Sequence, residues 1–113
     1  MVYILAQWQV SKKDSKKHLE LLNKSIRMQK SDRDLWCYIE SRFFKMVDEE
    51  SDVENWMYLD QYEHIEDFNG FLVAINKRME TDSELSSWRD EFLTIVVPDS
   101  WKTSQWTEEH RIT

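Results

Sequence analysis

Three charged residues sit where charge is costly. Glu40, Arg42 and Asp60 lie inside alternating, aromatic-flanked runs, LWCYIESRFFKMV and NWMYLDQY. A charge in such a run needs a partner. It is held by an ion pair or an interface network, or it is one of several polar groups converging on a ligand pocket. Trp8, Tyr58 and Phe71 are either core packing or the walls of an apolar pocket for a flat aromatic ligand. These six residues are the ligand-pocket candidates. No catalytic residue is assigned.

The other chemically capable residues point to less. His64 falls at a strand–helix corner and reads as a surface or capping residue. His18 and His110 have no visible partners and are too far apart in sequence to suggest a zinc site. Cys37 has no base or cation close in sequence and reads as buried. Asp48, Glu49, Glu50, Asp52 and Glu54 crowd one stretch. They lack the alternating ligands, central glycine and terminal Glu of a calcium loop, so a solvated loop tip is expected and no metal. The single glycine, Gly70, lies in a helical pattern, which excludes a glycine-rich phosphate loop. No cofactor is expected.

Composition sets the class. A chain of 113 residues reads as one domain, 1–113, large enough for a core of its own. The net charge of −7 argues against nucleic acid or an anionic membrane as partner. One cysteine fits a reducing cytosol, and there is no leader pattern and no apolar run of membrane-spanning length, so a cytoplasmic location is expected. Six Trp, four Tyr and five Phe are more than a small monomer easily hides. Some of these rings belong to an interface or a pocket.

The stretch Asn55 to Met79 must position the candidates. Trp56, Tyr58, Asp60 and Tyr62 alternate at the period of a strand, and Ile65, Phe68, Leu72, Ile75 and Met79 follow at the period of a helix, with Phe71 beside them. Before it, Val2 to Val10 reads as a strand. Ser11 or Asp14 caps a helix with a Leu19, Leu22, Ile26 stripe and a lysine-rich outer face. After a turn over residues 31–34, Leu35 to Val47 reads as a long strand, joined by the 48–54 loop to the central one. After Met79, Thr81, Asp82 or Ser83 caps a short helix with a Leu85, Trp88, Phe92 stripe. A Thr94 to Val97 run ends at Pro98, and Trp101 to Thr107 is the last strand. The order is βαββαβ with a short extra helix before the last strand. This is an α+β, ferredoxin-like arrangement, with helices on one face of an antiparallel sheet. A hairpin centred near Ser51 sets Arg42 opposite Asp60, an opposite-charge cross-strand pair.

This order, with Tyr58-Leu-Asp-Gln-Tyr62 running into Ile65-Glu-Asp-Phe68, resembles the dimeric α+β barrel superfamily, most closely its antibiotic-biosynthesis-monooxygenase-like branch. The resemblance implies two subunits packed sheet to sheet and a ligand pocket between sheet and helices. It also suggests a cofactor-independent monooxygenase. In the haem-degrading pattern of that superfamily the first-strand Asn falls on Ala6, the helix Trp or His on Phe71 and the axial His on Thr81. None of the three is retained, which counts against haem degradation.

The strand faces lead to the same dimer. One set, Trp36, Tyr38, Phe44, Trp56, Tyr58 and Tyr62, and its opposite, Leu35, Cys37, Ile39, Phe43, Met57 and Leu59, are both apolar or aromatic. Whichever set lies under the helices, the other needs cover. A second copy of the sheet supplies it, through an interface of ~2,000 Å² or more, with Trp101 and Trp106 reaching toward the partner. The expected protein is a homodimer binding an aromatic or polycyclic metabolite. The alternative is a non-catalytic binding or regulatory dimer, with no cavity above the ~300 Å³ of a drug-sized site.

Overall fold

A computed structural model describes residues 1–47 and 50–113. Its elements are β1 (Val2–Ser11), α1 (Ser15–Ser31), β2 (Glu40–Lys45), β3 (Val53–Tyr62), α2 (Ile65–Met79), α3 (Ser83–Ile95) and β4 (Lys102–Thr107). The strands form one antiparallel sheet in the order β2-β3-β1-β4. The three helices lie over one face of it. The expected ferredoxin-like βαββαβ topology is present, and so is the extra helix before the last strand, α3, which runs to 13 residues.

Alternation decides which side chains meet the helices. Ile4, Ala6, Trp8 and Val10 are all buried and oppose Asp60, Tyr58, Trp56 and Glu54 of β3. Two apolar clusters follow. Trp8, Val10, Leu21, Leu22 and Phe92 form one; Ile4, Tyr38 and Tyr62 form the other; Tyr58 packs against both. The helix ends have side-chain reasons. Asp82 accepts from the Leu85 N–H at 3.1 Å, and His64 and Asp67 form a reciprocal cap, with His64 N–H donating to Asp67 at 3.2 Å. Asp14 sits at the N-cap of α1 but makes no side-chain cap bond.

Five expectations are corrected here. The second strand starts at Glu40, not Leu35. Residues 35–39 are held irregular by Asp32, whose carboxylate accepts from the Leu35 N–H and whose carbonyl accepts from the Trp36 N–H, and by Arg33, which donates to the Tyr38 carbonyl. Cys37 is exposed there, not buried.

The β2–β3 register is one residue off the predicted one: Ser41, not Arg42, opposes Asp60, and Arg42 opposes Leu59. A one-residue slip exchanges the faces of a strand. Phe43 therefore joins Tyr58 under the helices, while Phe44 joins Met57 on the open face. The α1 stripe is also turned: His18, Leu21, Leu22 and Ser25 are buried, and Leu19 is exposed.

The acidic stretch is only partly a loop tip. Asp48 and Glu49 lie outside the described residues, but Glu54 is buried in β3. It accepts from Ser15 Oγ at 3.0 Å and Trp56 Nε1 at 3.2 Å, and Lys45 Nζ lies 3.0 Å away. Burial pushes its carboxyl up, but these bonds outweigh that and hold it below its usual value.

Candidate functional site

Between the helices and the sheet lies a cavity of about 230 Å³. Its floor is Trp8, Phe43, Tyr58, Asp60 and Ser41 of the sheet; α1 contributes Ser25 and Gln29; α2 contributes Phe71, Ile75 and Met79; α3 closes it with Trp88 and Phe92. Trp36 comes from the irregular 35–39 segment, so that segment's departure from strand geometry places a ring in the wall. Trp101 comes from a tight turn. Asp99 has φ 64°, in the left-handed region, and Ser100 N–H donates to Val97 O at 3.1 Å. The turn brings the Trp101 ring back to stack on Trp8, 5.4 Å between centroids, rather than toward a partner as expected.

Of the six sequence candidates, Trp8, Tyr58, Asp60 and Phe71 meet at this cavity. Glu40 and Arg42 do not. They point to the open face, pair with each other at 3.2 Å and line a separate pocket of about 440 Å³ with Tyr3, Leu59, Gln61 and Arg111. The proposed Arg42–Asp60 pair is therefore absent, for the register reason given above.

Asp60 is the ionisable carboxylate of the cavity wall. Ser41 Oγ donates to its Oδ1 at 2.5 Å. Burial pushes its carboxyl up to about 6, against the opposing pull of the Ser41 bond and the Arg33 charge. Burial, and then the charge of Asp60, push the Tyr58 phenol well above its usual range. Besides the stacked Trp101, Trp8 packs tilted against Tyr58 at 6.0 Å and edge-on against Phe92 at 5.9 Å. Each such pair is worth about 1 kcal/mol beyond its buried area.

His18, which sequence reasoning left without a partner, is fully buried behind this wall. Trp8 Nε1 donates to its Nε2 at 3.0 Å, and the Trp56 ring stands 4.8 Å away, edge to face. Burial lowers it to about 4, against the raising effect of Glu54. It is therefore neutral near pH 7, with its proton on Nδ1, because Nε2 is the acceptor. A clue was present: His18 falls at helical spacing with Leu21, Leu22 and Ser25. Ser41 and Trp101 carried no such signal; only the register and the turn reveal them.

The fold is thus the α+β, ferredoxin-like one that the strand and helix pattern suggested. No protein-family profile and no curated protein sequence matches the chain. Solved structures do. A dimeric ferredoxin-like protein from an uncultured marine organism is similar at TM-score 0.65 and 9% identity, covering 98% of each chain. An antibiotic biosynthesis monooxygenase is similar at TM-score 0.62 and 9% identity, covering 97% of this chain and all of the other. SnoaB from Streptomyces nogalater, a cofactor-independent oxygenase, is similar at TM-score 0.58 and 4% identity, covering 98% of this chain and 96% of its own. At these identities the likeness is one of fold.

Among the described residues, no helix is long and apolar enough to cross a membrane, and no group of His, Cys, Asp and Glu could hold a metal.

Proposed function

We propose that this chain, as one domain per subunit of a homodimer, binds a small aromatic molecule in the cavity between sheet and helices. The observation that carries the reading is the cavity wall, in which aromatic rings from every layer surround one partly satisfied carboxylate. Size narrows the ligand. An apolar cavity of about 150 Å³ takes benzene, and a drug-sized ligand needs ~300 Å³. A space of about 230 Å³ suits one or two rings better than a polycyclic metabolite.

The dimer is supported by the open face. Tyr3, Leu5, Phe44, Met57, Leu59 and Trp106 share it with Gln7, Gln61, Glu40 and Arg42, so it is more mixed than the sequence suggested but still carries six large apolar side chains. A monomer rarely leaves such a patch in water. A second copy of the sheet covers it, and the marine neighbour is described as dimeric. A cytosolic location accords with the single, reduced cysteine.

The finer reading is oxygenation without a cofactor, supported by SnoaB and by Asp60, which is placed to take a proton from a bound, easily oxidised substrate. The competing reading, a non-catalytic binding dimer, is favoured by the small cavity. A panel of one- and two-ring aromatics in a thermal-shift assay tests binding. Stabilisation of wild type that is lost in a cavity-filling Ile75→Trp variant is expected; no stabilisation by any member at millimolar concentration contradicts it. Oxygen uptake with binding hydroquinones, above the protein-free blank, decides for catalysis.

A further inference from the structure

The electrostatic lining of the cavity says more about its ligand than its shape does. Aromatic faces carry the negative end of the ring quadrupole. Trp8, Trp36, Tyr58, Trp88 and Trp101 all contribute to the wall. Among the described residues no lysine, arginine or histidine lines the cavity, and Asp60 is the carboxylate on it. The fixed charge on the lining is that of Asp60, which favours a cation and opposes an anion, and any ring face turned to the ligand does the same.

Asp60 is half satisfied. Its Oδ1 accepts from Ser41, while its Oδ2 accepts no hydrogen bond from the described residues and is not among their sealed-off, unpartnered atoms. It has no ion-pair partner among them either. Arg33, whose field reaches Asp60, is engaged elsewhere: its guanidinium lies 4.0 Å over the Tyr38 ring and donates to the Tyr38 carbonyl. A partly buried carboxylate with one oxygen free beside a cavity is a receptor for a donor that the chain itself does not supply.

We infer, building on the binding reading above, that the cavity selects a cationic aromatic amine: its ring stacks among the tryptophans and its ammonium group donates to Oδ2 of Asp60. The same surface disfavours an aromatic acid of equal size. Ser41 is a positioning residue, fixing the carboxylate through its other oxygen.

Three ligands with one ring system test this: 2-naphthylmethylamine, 2-naphthylmethanol and 2-naphthylacetate, titrated calorimetrically into the full-length protein near pH 7.5. The amine is expected to bind about tenfold or more tighter than the alcohol, and the acetate most weakly. In Asp60→Asn the preference for the amine over the alcohol is lost. Equal binding of amine and alcohol to wild type, or an amine preference that survives Asp60→Asn, overturns the inference while leaving the binding reading intact. Failure of all three to bind overturns both.

If the variant does not fold, wild type at pH 5 decides. The tyrosines facing or flanking Asp60, Tyr38, Tyr58 and Tyr62, are pushed upward and stay neutral between pH 5 and 7.5. His18, behind the wall, is lowered to about 4 and stays neutral. Loss of most of the amine preference at pH 5, with the alcohol unchanged, supports Asp60 as the receptor; an undiminished preference rejects it.

Discussion

Ser41 Oγ donates to Asp60 Oδ1 across the β2–β3 pair, 2.5 Å apart. Strand alternation puts the carboxylate on the helix side of the sheet, and the bond fixes how it faces the cavity. Ser41→Ala removes it without changing the backbone. Hydrogen bonds to charged groups are worth about 1.5–3 kcal/mol, so the variant should lose about 2 kcal/mol near pH 7. Urea unfolding checks this. Because the bond favours the ionised form, the loss should shrink below pH 5.

Asp60 also sets a pH dependence. Its folded value of about 6 lies above the ordinary 3.8, so the folded chain holds this proton more tightly than the unfolded chain. Its contribution to stability is therefore greatest at low pH and declines as pH rises from about 4 to about 6. Asp60→Asn escapes the decline. Relative to wild type it should gain about 2.4 kcal/mol between pH 4 and pH 7. Chemical denaturation of both proteins across that range measures the difference. A constant difference would show that Asp60 does not carry the shift.

His18 acts in the opposite direction. Its folded value of about 4 lies below the ordinary 6.5, so the unfolded chain binds its proton more readily. Stability from this group is present above about pH 6.5 and is lost as pH falls toward 4. Its imidazole NMR signals should show no titration step between pH 8 and pH 5. Trp8→Phe, which leaves Nε2 without its donor, should cost about 1–3 kcal/mol and move the His18 titration upward.

The open sheet face predicts assembly. Leu59 sits on β3, which pairs with β1 on one side and β2 on the other, and its side chain faces away from the helices beside Leu5 and Arg42. Leu59→Glu places a charge where a second sheet would pack. Sedimentation should find wild type as a dimer at micromolar concentration and Leu59→Glu as a monomer of 13.8 kDa. A wild-type monomer at that concentration would remove the barrel.

Much of this architecture is legible in the residues, and the losses have physical causes. The change from period 2 to period 3.6 at Ile65 marks β3 and α2, and the order of the elements points to the ferredoxin-like arrangement. Residues 35–39 alternate like a strand, but alternation does not encode the hydrogen bonds from Asp32 and Arg33 that hold them irregular. The hairpin loop does not state its register, so Arg42 was set one residue wrong against Asp60, and that one step moved it to the other face. Trp101 looked like an interface residue because nothing in the sequence shows that a turn at Asp99 folds it onto Trp8. His18 was passed over because its partner lies on a different element.

Whether the cavity is the binding site can be read directly from the tryptophan indole N–H signals. Trp8, Trp36, Trp88 and Trp101 line it, while Trp56 and Trp106 do not. In a ¹⁵N–¹H titration with 2-naphthylmethylamine, the first four should shift together and saturably, with the last two nearly still. Shifts confined to Trp56 and Trp106, or no saturable shift at any indole, would contradict the site.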